Sequence, residues 1–255
     1  MTKKPEVSLV SYTQNPIELM CYFRRVTHAP VPDSIRGIIR SPKEWLGMDV
    51  DEYVDRVLLK DKMPTFLEAV SLTFKLENVS RALTHQLVRH RIGFSYSQQS
   101  MRCVNVPKFA DEGAYAMPPG LTAKQQSNFH CAMATIQELY NANLNEGIPT
   151  QDARGLLPTN IQTTIVFTCS LRALIGMVNK RLCLKTQEEF REVAIQILEQ
   201  VKGIDPRLLH WIGKPCDFGK CLMGSENSEQ LRAGILEGKQ NTDHICPIYL
   251  EKFAK

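Results

Sequence analysis

The chain has 255 residues, with 31 Lys+Arg against 27 Asp+Glu and a formal net charge of +4 at pH 7. Hydrophobic residues at 43% and charged residues at 23% are ordinary values for a folded protein and exclude a disordered or low-complexity chain. The charge is too small to mark a nucleic-acid binder by itself, and no apolar run approaches the ~18 residues a membrane helix requires.

The N-terminus leads into strand-like sequence without a signal-peptide core. Eight cysteines scattered through an enzyme-sized chain fit reduced thiols better than a disulfide framework, so a cytoplasmic protein is expected. Residues 7–11 alternate apolar and polar as a half-buried strand does. A helix is expected around Pro16–Arg25, after which Pro30, Pro32 and Pro42 interrupt regular structure. Val70, Leu72, Phe74 and Leu76 have period two and predict a strand within Leu67–Glu77. Asn78 or Ser80 then caps a helix running to about Arg91, with Val79, Leu83, Leu87 and Val88 at core spacing. Gly93–Pro107 is rich in Gly, Ser, Gln and Asn and reads as a loop. A long helix spans about Thr122–Asn145, with Phe129, Met133, Ile136, Leu139 or Tyr140, and Leu144 inward and Gly147 beyond its end. Residues 160–184 are apolar enough for a buried helix, against which the β-branched run Ile161–Phe167 counts. Thr186-Gln-Glu-Glu189 has the pattern of a capping box opening a helix to about Val201. The organisation expected is one domain over residues 1–205 and an irregular extension over 206–255.

The densest polar cluster holds Arg81, His85, Gln86, Arg89, His90 and Arg91, followed by Ser95, Ser97, Gln98, Gln99, Ser100 and Arg102. On a helix His85 and Arg89 share a face, as do Gln86 and His90. Arginine offers paired, planar donors for phosphate, and hydroxyls and amides complete its coordination, so an anionic-ligand site is indicated. A solvated basic helix end is the bland alternative, since a helix C-terminus favours cations without any ligand. No G-x-G-x-x-G or Walker-type glycine loop occurs. In the tail, Cys216-x4-Cys221 and His244-x-Cys246 supply four soft ligands, but His-x-Cys is not a common second half, and scattered thiols are the preferred reading. No metal site is expected.

Arg89-His90-Arg91, Ser95 and Ser100-Met101-Arg102 together resemble the signature of the flavin-dependent thymidylate synthases. Phe66-Leu67-Glu68 before an alternating strand and Gln86 before Arg89 match its approach. Ala153-Arg154-x-x-Leu157-Pro158 resembles the family's A-R-x-x-L-P element, and Ser170-Leu171-Arg172 with Arg181 and Gln187 resembles its N-x-R…R…Q stretch. The resemblance covers roughly residues 8–200. It implies an α+β fold with a small, mostly antiparallel sheet and long helices, in a homotetramer whose sites are shared between subunits. It implies that Gln86, Arg89, the loop Gln98-Gln99-Ser100-Met101-Arg102, Arg154 and Arg181 hold dUMP, with Arg181 against the pyrimidine ring as the catalytic residue. It further implies that Ser71, Arg89, His90, Arg91, Gln98, Ser170 and Arg172 hold FAD. The implied reaction is reductive methylation of dUMP to dTMP, with methylenetetrahydrofolate as carbon donor, reduced FAD as hydride source and NADPH as the reductant of the flavin. No cysteine nucleophile is implied; Cys103 is read as structural, and Ser100, which lacks a neighbouring base, as a ligand donor.

Arg172 and Arg181 lie nine residues apart, about 900° along a helix and so half a turn net, which directs them to different ligands or different subunits. Most departures from the family pattern fall on the flavin side. Ala69 stands for a His, Ser97 and Ser170 for Asn, Gly176 for another Asn, and Cys103 for a Tyr. They leave a related flavin enzyme, adding another one-carbon group to a pyrimidine nucleotide, as a rival. A non-enzymatic nucleic-acid-binding protein using the basic helix is a second.

Overall fold

A computed structural model describes residues 3–214. Four strands form one antiparallel sheet in the order β1-β2-β4-β3: β1 (Glu6–Tyr12), β2 (Ser71–Ser80), β3 (Phe94–Gln98) and β4 (Gln162–Ser170). The α+β class and the small antiparallel sheet agree with expectation. Helices α1 (Pro16–Val26), α2 (Ile35–Arg40), α3 (Pro42–Leu46) and α4 (Val50–Tyr53) separate β1 from β2. Helix α5 (Arg81–Leu87) joins β2 to β3, and α6 (Ala123–Asn145) and α7 (Thr150–Ala153) lie between β3 and β4. After β4 come α8 (Leu171–Arg181), α9 (Glu188–Ile204) and a 3₁₀ turn at Pro206–Trp211.

The period-two pattern decides which face of the sheet is covered. Leu72, Phe74 and Leu76 of β2 and Ile165, Phe167 and Cys169 of β4 are buried, and they join Leu174, Met177 and Val178 of α8 and Phe190, Val193, Ile197 and Val201 of α9 in the main core. On the opposite face Thr73 and Thr168 exchange a 2.9 Å hydroxyl hydrogen bond and Lys75 pairs with Glu77 at 2.8 Å. A second, smaller cluster of Met101, Phe109, Tyr115, Met133, Tyr140 and Ile161 lies under α6. Thr122 and Gln125 form a capping box at the start of α6.

Several local expectations are corrected. Residues 160–184 are not one buried helix: Gln162–Ser170 is a strand that alternates strictly between buried and half-buried, and the helix begins at Leu171. The β-branched run packs better on a pleated surface than in a helix. Within the expected loop, Phe94–Gln98 is an edge strand whose Phe94, Tyr96 and Gln98 alternate with exposed Ser95 and Ser97. The helix after β2 stops at Leu87, and Val79 belongs to β2 rather than to the helix. Of the α6 alternatives, Tyr140 is fully buried and Leu139 is 54% exposed.

The capping box at residue 186 does not form. Thr186 Oγ1 donates to the Lys180 carbonyl, Gln187 flanks the helix without a side-chain cap, and Glu189 turns toward Ser80 instead. Pro206–Trp211 packs on the core through fully buried Leu208, so the expected extension starts within residues that belong to the folded body. The tail cysteines at 216, 221 and 246 and His244 lie outside the described residues. Among those described, no helix is long and apolar enough to cross a membrane.

Candidate active site

Ser80 ends β2 in an extended conformation, and its Oγ accepts the Leu83 N–H at 3.0 Å, which starts α5. The Glu189 carboxylate accepts both the Ser80 N–H and O–H at 2.6 Å, tying the start of α9 to the start of α5. At the other end of α5 the Tyr96 hydroxyl shares its proton between the carbonyls of Leu87 (3.0 Å) and His90 (2.6 Å). The turn is completed by Gly93 at φ 76°, whose carbonyl accepts the Ser170 N–H at 3.2 Å. A Cβ at Gly93 would stand 2.7 Å from the Ala173 Cβ, so both backbone angle and space require glycine there. This short turn leaves Arg89 and Arg91 exposed and directs His90 inward.

Arg181 donates Nε and an Nη to His90 Nε2 at 3.3 and 3.2 Å. That contact makes Nε2 the acceptor and places the His90 proton on Nδ1. Burial, then the charges of Arg181 and Lys180, lower the His90 pKa to about 4. The central carbon of the Arg181 guanidinium lies 4.5 Å from the centre of the Phe190 ring. No carboxylate pairs with Arg181 among the described residues, and burial lowers its pKa. One helical turn before His90, the Gln86 amide donates to Gln187.

The loop after β3 meets the A-R-x-x-L-P segment. Arg102 donates to the Gln151 side chain at 3.1 Å, its backbone N–H donates to Ser100 Oγ at 3.3 Å, and Arg154 Nε donates to the Gln151 carbonyl at 3.0 Å. Gln98 donates to Thr84 Oγ1 at 2.9 Å, and the Gln99 N–H donates to the Thr164 carbonyl at 3.1 Å. Met101 is buried in the second cluster, so its side chain anchors the loop rather than projecting from it. A cleft of about 540 Å³ lies between α5 and this segment, lined by Arg81, His85, Met101, Gln151, Arg154 and Leu157 among others, and no cysteine among the described residues lines it. Cys103 is exposed beside it, while burial pushes the Cys169 thiol up to about 12.

Three of the residues expected to hold a flavin, Ser71, Ser170 and Arg172, lie elsewhere, while Arg89, His90, Arg91 and Gln98 stand beyond the end of α5 and at the end of β3. Ser71 and Ser170 are register partners across β2 and β4; Ser71 exchanges hydrogen bonds with Thr13, and Ser170 Oγ caps α8 by accepting the Ala173 N–H at 3.2 Å. Arg172 forms a 2.8 Å ion pair with Glu68. A Cβ at Gly176 would meet nothing within 4 Å among the described residues, so α8 is uncovered by them there. Arg172 and Arg181 thus have separate surroundings, as their spacing requires, and Arg181 does not line the cleft that holds Arg154. Within one chain the expected nucleotide ligands are divided: Arg154 stands with the 98–102 loop, and Arg181 stands apart against His90, an expected flavin ligand. Sequence reasoning gave no site role to Gln151, Phe190 or Tyr96 and read Glu189 as part of a capping box; the contacts of Gln151 with Arg102 and of Glu189 with Ser80 join segments distant in the chain and leave no local pattern.

The described geometry has counterparts in known proteins. The model of the family described as Thymidylate synthase complementing protein matches residues 8–207. Flavin-dependent thymidylate synthase of Geobacter sulfurreducens is 34% identical over 222 residues, which is 86% of this chain and 91% of that protein. The enzymes of the same name from Clostridium tetani and Pyrococcus furiosus are 32% and 33% identical, covering 86% and 84% of this chain and 91% and 88% of their own. This chain belongs to the flavin-dependent thymidylate synthase family, an enzyme family.

Proposed function

We propose that this protein converts dUMP to dTMP by reductive methylation, with methylenetetrahydrofolate as the carbon donor and FAD, reduced by NADPH, as the hydride source. The observation that carries the reading is Arg181, a half-buried guanidinium with no carboxylate partner among the described residues, held against His90 Nε2 and the Phe190 ring. A cation held in that way is preorganised for an oxyanion, because no ion pair must break before it acts. C5 is nucleophilic when the pyrimidine carries anionic character on N3 and the ring carbonyl, and Arg181 stabilises that electron-rich form from which C5 attacks the one-carbon unit.

Gln86, Arg89, the 98–102 loop and Arg154 orient the nucleotide. Arg102 and Arg154 offer the charged, forked donors that a phosphate monoester accepts. FAD fits the remaining donor set. Arg89 and Arg91 are exposed without a carboxylate partner among the described residues, as a diphosphate requires, and α8 is uncovered by those residues at Gly176. His90, Gln98, Ser71, Ser170 and Arg172 complete that set, with Arg172 leaving Glu68 to do so. When bound, FAD supplies the hydride. The separation of Arg181 from the cleft of Arg154 favours sites completed by a second subunit, in a cytoplasmic homotetramer.

The test is product analysis with dUMP, methylenetetrahydrofolate, FAD and NADPH. Stoichiometric dTMP is the expected outcome. A product of different mass at C5 would favour the rival one-carbon transfer that the substitutions at Ala69, Ser97, Ser170 and Gly176 suggest, and no nucleotide product would overturn the reading.

A further inference from the structure

The guanidinium of Arg181 is held by His90, and His90 is held by the turn that follows α5. That helix ends at Leu87, and the last carbonyls of a helix have no partner further along it. The His90 N–H donates to the Leu87 carbonyl at 3.0 Å and closes the turn. The Tyr96 hydroxyl reaches the same Leu87 carbonyl at 3.0 Å and the carbonyl of His90 itself at 2.6 Å. One donor from β3 therefore pins both ends of the turn.

Tyr96 is itself fixed by the sheet. It is the register partner of Phe167 in β4, and its ring stacks on Phe94 at 5.7 Å and 2° and lies 6.1 Å from the Phe167 ring. Phe94 in turn stands 6.1 Å from the His90 ring, so one strand backs the imidazole and holds its backbone. Burial raises the Tyr96 pKa, which keeps the hydroxyl a donor at neutral pH. The contacts run without a break from Tyr96 Oη to the His90 carbonyl, and from His90 Nε2 to Nε and an Nη of Arg181. Arg89 and Arg91 of the same turn are exposed, and Arg181 and Lys180 are the charges that face His90 from α8. An imidazole released from this turn is hydrated, regains its charge nearer neutral pH and repels those two cations.

We infer that Tyr96 is a positioning residue for Arg181, acting through the backbone carbonyl and the imidazole of His90. The inference rests on the reading of Arg181 as the group that stabilises the electron-rich pyrimidine. Tyr96 touches no reacting atom in this arrangement. Its hydroxyl keeps His90 neutral and directed at Arg181, and so keeps the planar fork in one place before substrate arrives.

Tyr96→Phe removes one oxygen and keeps the ring stack. In the full chain with labelled histidines, NMR titration should show the His90 pKa rising from about 4 to above about 5, toward the ~6.5 of an unperturbed imidazole. His90→Gln assigns the resonance. Formation of dTMP in single-turnover reactions with pre-reduced flavin and saturating dUMP should fall about 10- to 100-fold. Leu208→Ala, which lowers stability from the 3₁₀ turn at Pro206–Trp211, should leave the His90 pKa where it is. Equal shifts in the two variants would show that the titration follows stability rather than the hydroxyl, and would overturn the inference. A lowered melting temperature with an unmoved His90 pKa in Tyr96→Phe would make Tyr96 merely structural. A raised pKa with near-normal turnover would overturn its action on Arg181. If Tyr96→Phe does not fold, amide hydrogen exchange in the wild type decides. The His90 N–H should exchange within about tenfold of the β3 amides bonded to β4, and faster exchange would overturn the tie. Should the wild type form no dTMP, the titration still decides whether Tyr96 holds His90 on Arg181, and only the reading of the reaction falls.

Discussion

His90 accepts two donors of Arg181 through one ring nitrogen, and it does so only as the neutral imidazole. Its pKa in the folded chain is about 4, against about 6.5 for an unperturbed His, so the unfolded chain takes up the proton first as pH falls. The stabilisation from neutral His90 is therefore complete above about pH 6.5 and is lost progressively down to about pH 4. His90→Gln retains a carbonyl acceptor without a titration, and its urea midpoint should fall less than that of the wild type between those pH values. Parallel curves for the two proteins would reject the assignment. Arg181→Lys tests the chemistry separately, since lysine keeps the charge and loses the planar fork and the stacking over Phe190. Turnover should fall about 10²–10³-fold in single-turnover reactions with pre-reduced flavin and saturating dUMP, with flavin content unchanged. Near-normal turnover would remove Arg181 from charge stabilisation. At this scale the residue types were legible, because Arg, Gln and Ser at those spacings announce an anion site. The Phe190 contact was not, because it joins α8 to α9 across a turn whose geometry no local pattern encodes.

The elements that position these residues are short, and junctions between them carry the geometry. β3 is five residues long, yet its Tyr96 holds the end of α5 and its pairing with β4 places the 98–102 loop. Its Ser and Gln content masked the alternation, which is why it read as loop. β4 was masked differently. Buried on one face and followed directly by a helix, its apolar run was indistinguishable from helix until pairing with β2 and β3 satisfied its backbone groups. Gly93 links the two effects, since its carbonyl receives the N–H of the last residue of β4. Gly93→Ala should destabilise the chain by about 1–3 kcal/mol, through positive φ and contact with Ala173. A chemical denaturation midpoint equal to that of wild type would show that the turn relaxes at no cost.

Across the whole molecule, the last described turn returns to the first helices. Arg207 pairs with Asp205 and Asp51, both at 2.6 Å, and these carboxylates raise its pKa, while Leu208 is fully buried in the main core. Leu208→Ala leaves a cavity where the 3₁₀ turn packs with α9 into the main core, and should cost about 2–5 kcal/mol in one cooperative transition. Loss of less than about 0.5 kcal/mol would mean that the turn is peripheral to the folded unit.

The sequence by itself determined the family through the spacing of its motifs, and with that resemblance the class of fold; it also determined the long capped helix α6 and the residue types of the site, because caps, periodicity and motif spacing are local properties of the chain. The tertiary structure decided the rest. Strand or helix for residues 162–170 was settled by which backbone groups could pair. The partner of Glu189 was settled by the approach of α9 to α5, which gave that carboxylate two donors from Ser80 in place of its own helix end. The joining of Arg81 to Arg154 was settled by the backbone bonds from 81 and 82 to 161 and 159, which bring together two cations 73 residues apart in the chain. Long-range pairing selects among local alternatives that differ by less than the hydrogen bonds and buried surface it supplies.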